Sequence, residues 1–168
     1  MSGFASLTRE QEQSTEATVK EVIRRLRSYQ TVDGSFSYWP GGTAPNAWGT
    51  VYAIHFLLEA EKKGYLVPEG MKRNALNDLS RIARNWKPEA SYSAESEEMT
   101  QAYRLFVLAL GQVAEVGAMN RLKESKTLMS MSRYLLAAGY ALVGRPDVSK
   151  ELVVKTTALT TACSGYDQ

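Results

Sequence analysis

Between about residues 14 and 30 the apolar positions Val19, Val22, Ile23, Leu26 and Tyr29 recur three and four apart, with Lys20, Glu21, Arg24, Arg25 and Arg27 between them. That period predicts an amphipathic helix with one wet face. A second helix is predicted over about 46–63. Asn46 is a capping residue, and Trp48, Val51, Tyr52, Ala53, Ile54, Phe56, Leu57 and Leu58 leave almost no polar face until Glu59. A helix apolar on most sides is a buried one. Gly64 stops it, and Pro68 at a first helical position opens a third helix to about Trp86. Its stripe of Met71, Ala75, Leu79, Ile82 and Ala83 is narrow.

The pattern then repeats. A polar linker, 87–96, precedes a strongly apolar helix over about 97–116, which Gly117 is expected to end. A short polar helix, about 118–126, leads to another buried one over about 128–143, closed by Gly144. Pro146 opens a narrow-striped helix to about Lys155. No stretch alternates at the period of a strand, so the expected class is all-α. Alternating buried and half-wet helices joined by Gly and Pro turns describe stacked helical hairpins, in an open solenoid or a closed double-layered ring. Successive buried helices are about 50 and then about 30 residues apart, which argues against identical tandem repeats and favours a ring with insertions. The expected organisation is a flexible segment over 1–13, stacked helical hairpins over 14–156, which the family resemblance given below makes a partial α/α toroid, and a tail over 157–168.

At 168 residues and 44% hydrophobic, the chain suffices for one core or part of one. Twenty basic and eighteen acidic residues, scattered without runs, give a net charge of +2, which favours neither nucleic acid nor an anionic membrane surface. The longest apolar stretches, around 51–58 and 105–110, fall far short of the roughly 20 residues of a bilayer crossing. The first residues lack a basic start followed by an apolar run, so a secretory signal, if the natural protein is exported, lies outside this chain. A lone cysteine, Cys163, excludes an internal disulfide and leaves the redox compartment open.

Between the first two helices runs Gln-Thr-Val-Asp-Gly-Ser-Phe-Ser-Tyr-Trp-Pro-Gly-Gly, residues 30–42, an unusually aromatic loop. Asp33 and Gly34 suit a tight turn, Gln30 can hydrogen-bond across the helix end, and Phe36 with Trp39 can seal the gap between neighbouring hairpins. The other reading offers the rings to a ligand. Packing is the expectation, with Phe36, Tyr38, Trp39 and Trp48 near one end of the ring and as its candidate contact residues.

In this loop, in "NAWGTVYAIHFLLEAEKKGYLVP" and in "YRLFVLALGQVAEVGAMNRLKES", the chain resembles the thioester-containing helical domain of bacterial alpha-2-macroglobulins, from about Thr15 to about Leu152. The resemblance implies a closed α/α toroid of which this chain holds part. It also implies a periplasmic or cell-envelope location, contacts with other domains of a parent macroglobulin, and a target protease met through that parent. The family's reactive feature is a thioester between a Cys and the Gln three residues later. Three residues after Cys163 stands Tyr166, so the spacing does not match, and the family's motif lies upstream of the segment resembled here. Some eukaryotic relatives place a His in the loop after the Asp-Gly turn to assist transfer; this loop has none, and Tyr38 is its nearest polar candidate.

Other chemistry is thin. The single His, His55, sits on a mostly apolar helix and reads as a hydrogen-bonded core imidazole; one His and one Cys make no ordinary zinc site. Glu95, Glu97 and Glu98 complement a helix start. Asp33 and Glu98 are a conceivable glycosidase pair with nothing to tie them together, and no Asp-rich isoprenoid motif, phosphate loop or Gly-x-Ser-x-Gly elbow occurs. The expectation is therefore a non-catalytic structural part of a protease-trapping protein, without cofactor or metal; the alternative is a helical-ring enzyme acting on glycans or isoprenoids. A part-ring leaves an apolar flank, expected on the last buried helix at Met129, Leu135, Leu136, Tyr140 and Leu142 or on the first amphipathic helix, through which the chain would self-associate or over which its ends would fold.

Overall fold

The computed structural model describes the backbone of residues 8–88, 94–125 and 128–163, and the side chains of these except 9 and 155–163. Residues 1–7, the tail 164–168 and the Cys163 thiol lie outside that description. Seven helices are described: α1 Arg9–Leu26, α2 Ala47–Lys62, α3 Glu69–Asn85, α4 Ala94–Leu110, α5 Val116–Lys123, α6 Ser130–Leu142 and α7 Pro146–Cys163. Among the described residues no strand occurs, and no helix is long and apolar enough to cross a membrane.

The helices stack as hairpins. The apolar α4 packs against α2, α3, α5 and α6, and α6 packs closely on α7. Leu105, Val107 and Leu108 of α4 meet Ile54 and Leu57 of α2, Leu79 of α3, Met119 and Leu122 of α5 and Leu136 of α6 in one continuous core. Helix α4 is the most buried of the described helices, with ten of its 17 residues in the interior; α1 is mostly exposed and buries Ile23 against the cluster.

Three helix boundaries differ clearly from expectation. Helix α1 begins at Arg9 because Thr8 and Gln11 form a capping box: the Gln11 N–H donates to Thr8 Oγ1 (3.4 Å) and the Thr8 N–H to Gln11 Oε1 (2.9 Å). Residues 9–13, expected in a flexible segment, are helical. Helix α4 ends at Leu110, not at Gly117, which lies inside α5. Gln112 adopts φ 61° and closes α4 by a Schellman motif, with Val113 N–H donating to Leu108 O (2.9 Å) and Gln112 N–H to Ala109 O (3.1 Å). The same pair of bonds closes α2 at Gly64 and α6 at Gly144, so α2, α4 and α6 end alike. Helix α7 continues past Lys155 to Cys163, since no Gly or Pro stands between Asp147 and Cys163 to stop it.

The expected flank of α6 is also corrected. Leu136 and Tyr140 are buried, and Tyr140 Oη donates to Asn120 Oδ1 (2.6 Å) across the α5 packing. The large apolar side chains that α6 does expose are Met131, Tyr134 and Leu142.

Candidate interaction site

The aromatic loop is braced along its whole first half. Gln30 pairs with Phe36, and Ser37 with Pro45, in isolated antiparallel bridges. Thr31 N–H donates to Ser35 O (2.8 Å), Ser37 N–H to Tyr29 O (2.8 Å) and Asn46 N–H to Phe36 O (2.8 Å). The Gln30 side chain crosses the helix end as expected, its Nε2 donating to Gly34 O (3.1 Å) and to Met71 O in α3 (2.9 Å).

Gly34 makes this docking close. It holds φ 107°, and a Cβ there would stand 2.3 Å from the Asn74 carbonyl oxygen, so only a residue without a side chain lets the loop lie on α3. Ser35 Oγ donates to Asp78 Oδ2 (2.5 Å), and Asp78 in turn receives Arg81 through Nε at 3.1 Å. Phe36 is fixed at both ends of its peptide unit: its N–H donates to Thr50 Oγ1 (2.9 Å), whose hydroxyl donates back to Phe36 O (3.1 Å). Asn46 then starts α2, its side chain accepting from Gly49 N–H (2.6 Å).

This frame sorts the aromatic residues. Phe36 is 2% exposed and belongs to the core, whereas Tyr38 and Trp39 are 69% and 70% exposed. The expectation that Trp39 seals the hairpin gap beside Phe36 is overturned, because the loop turns outward after Ser37. Its hydroxyl, bonded to Tyr29 O (2.9 Å) and Trp39 O (2.6 Å), holds the turn. At the tip the two rings form an edge-to-face pair with centroids 4.9 Å apart. Trp48, 45% exposed on the first turn of α2, packs instead on Tyr103 of α4 (5.1 Å), so the four residues form no single cluster.

His55 is half-buried, with Nδ1 2.8 Å from Tyr103 Oη and its ring edge-on to Tyr103 and Phe106. Burial raises the Tyr103 pKa, so its phenol stays protonated at neutral pH. This is a packed, hydrogen-bonded imidazole. Glu98, expected with Glu95 and Glu97 in an acidic patch at a helix start, is buried, and its Oε1 accepts the Met129 N–H (2.9 Å) where α6 begins. Asp33 is exposed at its turn, so nothing joins it to Glu98 as a catalytic pair. Among the described residues no group of three or more His, Cys, Asp or Glu side chains is placed to hold a metal.

Two buried charges escaped the sequence reading, Asp78 and Arg104. Arg104 is a lone cation inside the apolar run of α4; its Nη1 donates to the neutral Gln101, which itself donates through Nε2 to Ala83 O (3.0 Å). Burial pushes the Arg104 pKa down to about 10, opposed by the Asp78 charge, and the guanidinium remains a cation at neutral pH. A single arginine flanked by Tyr103 and Leu105 was the signal available in the sequence.

No family model matches the chain. Over 129 residues, 73% of its length, it is 31% identical to the alpha-2-macroglobulin of Xylella fastidiosa (strain Temecula1). Over 138 residues, 80% of its length, it is 29% identical to that of Escherichia coli (strain K12). The chain is homologous to the bacterial alpha-2-macroglobulins. It spans about 8% of the length of these two alpha-2-macroglobulins. The native conformation of Escherichia coli alpha-2-macroglobulin superposes with a TM-score of 0.78 at 22% identity, over 90% of this chain and 10% of that one. The trypsin-activated form gives 0.76 at 23%, over 89% and 11%. At these identities the likeness to alpha-2-macroglobulin structures establishes the all-α fold of the segment.

Proposed function

We propose that this chain is a non-catalytic, structural part of the helical ring of an alpha-2-macroglobulin-like protease inhibitor, acting in the periplasm or cell envelope. The observation that carries the reading is the loop: its frame is locked to α2 and α3 while Tyr38 and Trp39 stand exposed as a paired tip. A rigid loop offering two large rings to the outside is built to contact another surface. That surface is another domain of the parent protein, and the target protease is met through the parent. Activation by trypsin, described for the Escherichia coli relative, accords with a protein on which proteases act. His55 and Glu98 are consumed by packing, which supports a segment without catalysis of its own.

The test uses the longer protein that carries this sequence. Incubated with a protease, it should block cleavage of a large protein substrate while sparing a small chromogenic peptide, and Tyr38→Ser with Trp39→Ser should weaken that block without lowering the melting temperature. The 168-residue chain alone should hydrolyse no peptide, ester or glycan and convert no prenyl diphosphate. Equal cleavage of both substrates by the protease would reject the trap, and turnover abolished by His55→Ala would reject the structural role. Alone, the chain pairs with a second copy through Met131, Tyr134 and Leu142 of α6; a compact monomer by sedimentation at high concentration would exclude this pairing.

A further inference from the structure

The exposed tip is fastened to the end of α1. Gly41 N–H donates to Ser28 O (2.6 Å), and the N–H and hydroxyl of Ser37 both donate to Tyr29 O (2.8 and 2.9 Å). Ser28 in turn donates through its N–H and its hydroxyl to Arg25 O (2.9 and 2.8 Å). The turn that carries the Tyr38 and Trp39 rings is thus tied to the last turn of α1, where Arg24, Arg25 and Arg27 are exposed.

These cations are in excess. A helix C-terminus favours positive side chains, and Glu21 holds two of the three: it accepts Arg24 Nε (2.7 Å) and lies 3.2 Å from Arg25 Nε. One carboxylate between two arginines leaves a charge over, and among the described residues Arg27 has no ion pair. The stretch from Val22 to Leu58, which holds the end of α1, the loop and most of α2, carries a single acidic residue. That residue, Asp33, stands at the turn that lies on α3. The tip itself, Tyr38 to Gly42, is uncharged.

We infer that the tip docks together with the end of α1, on an apolar pocket rimmed by Asp and Glu side chains. The inference rests on the reading of the tip as a contact with another domain of the parent protein, and it names the chemistry of that domain's surface. The two rings supply an apolar centre and the arginines a positive margin, so that aromatic area gives the binding while charge sets register and rejects wrong partners. Each guanidinium can take a carboxylate through two parallel bonds. A basic partner is disfavoured by the same arginines, which close the cation capture that an exposed indole face otherwise offers.

The longer protein that carries this sequence is produced with the photo-crosslinker p-benzoylphenylalanine in place of Tyr38 and irradiated, and the residues joined to position 38 are read by mass spectrometry. The crosslink should fall in another domain, on a surface where Asp and Glu outnumber Lys and Arg. Arg25→Glu with Arg27→Glu should cut the crosslinked fraction roughly five- to tenfold, the worth of two exposed ion pairs lost and turned repulsive, while Arg25→Lys with Arg27→Lys should keep it within about twofold. In the unaltered sequence, raising sodium chloride from about 0.05 to about 0.5 M should lower the fraction severalfold, and this arm decides should the Glu variant fail to fold. A full-yield crosslink in the folded Glu variant, or one indifferent to salt, overturns the acidic rim and leaves the contact itself standing. No crosslink from position 38 to another domain overturns that contact and this inference with it.

Discussion

Phe36 and Trp39 stand three residues apart in one loop, yet truncating them should have very different consequences. Phe36 is 2% exposed and contacts the continuous core, so Phe36→Ala removes a fully packed ring and leaves a cavity, at a cost of roughly 3 to 5 kcal/mol. Trp39 is 70% exposed and keeps only an edge contact to Tyr38, so Trp39→Ala should stay within about 0.5 kcal/mol, as surface substitutions do. For a chain of this size 1 kcal/mol corresponds to about 2–4 °C, which places the first variant roughly 6 to 20 °C below the parent and the second within about 2 °C of it. Urea titration followed by circular dichroism gives the same comparison as a shift in midpoint at constant slope. A Trp39→Ala midpoint that falls as far as that of Phe36→Ala would refute the assignment of Trp39 to the exposed tip.

Gly34→Ala should cost about 2–4 kcal/mol, from a left-handed backbone and a Cβ 2.3 Å from Asn74 O; an unchanged urea midpoint would show that the loop does not lie on α3 as described. Gln112→Gly should stabilise by about 1 kcal/mol, since glycine takes the Schellman position at no steric cost, and a lowered midpoint would contradict that cap. Glu98→Leu leaves the Met129 N–H without its acceptor and should cost about 1–3 kcal/mol, whereas Glu98→Gln keeps an acceptor oxygen and should cost less; equal losses would count against the hydrogen bond as the cause.

The apolar helices α2, α4 and α6 were legible in the sequence because a mostly apolar surface needs no partner to interpret, although Tyr52, read with the buried positions of α2, is 65% exposed. Val51 to Leu58 and Leu105 to Leu110 read as buried from their own composition. Ends were harder. The stop at Gln112 was missed because a left-handed non-glycine residue looks like any other polar one, and the start at Arg9 because Thr8 and Gln11 resemble a polar tail until their two bonds are seen. The loop was legible as aromatic but not as divided, because what turns Phe36 inward and Trp39 outward is set by partners far along the chain, such as Met71 for Gln30 and Thr50 for Phe36. Glu98 was read as completing a helix start and Arg104 was passed over, because only packing shows that a charged side chain is buried.

The residues that hold the loop are not the residues it displays. Gln30, Gly34, Ser35 and Phe36 answer to α2 and α3, while the rings of Tyr38 and Trp39 meet each other and the Trp39 carbonyl accepts only from within the loop, from the Ser37 hydroxyl and the Gly42 N–H. Change at the tip is therefore nearly free of any penalty in folding, and change at the frame is not. Natural variation can retune what the loop touches by exchanging two side chains, and its pace at positions 38 and 39 is set by the touching surface rather than by the stability of the helices beneath.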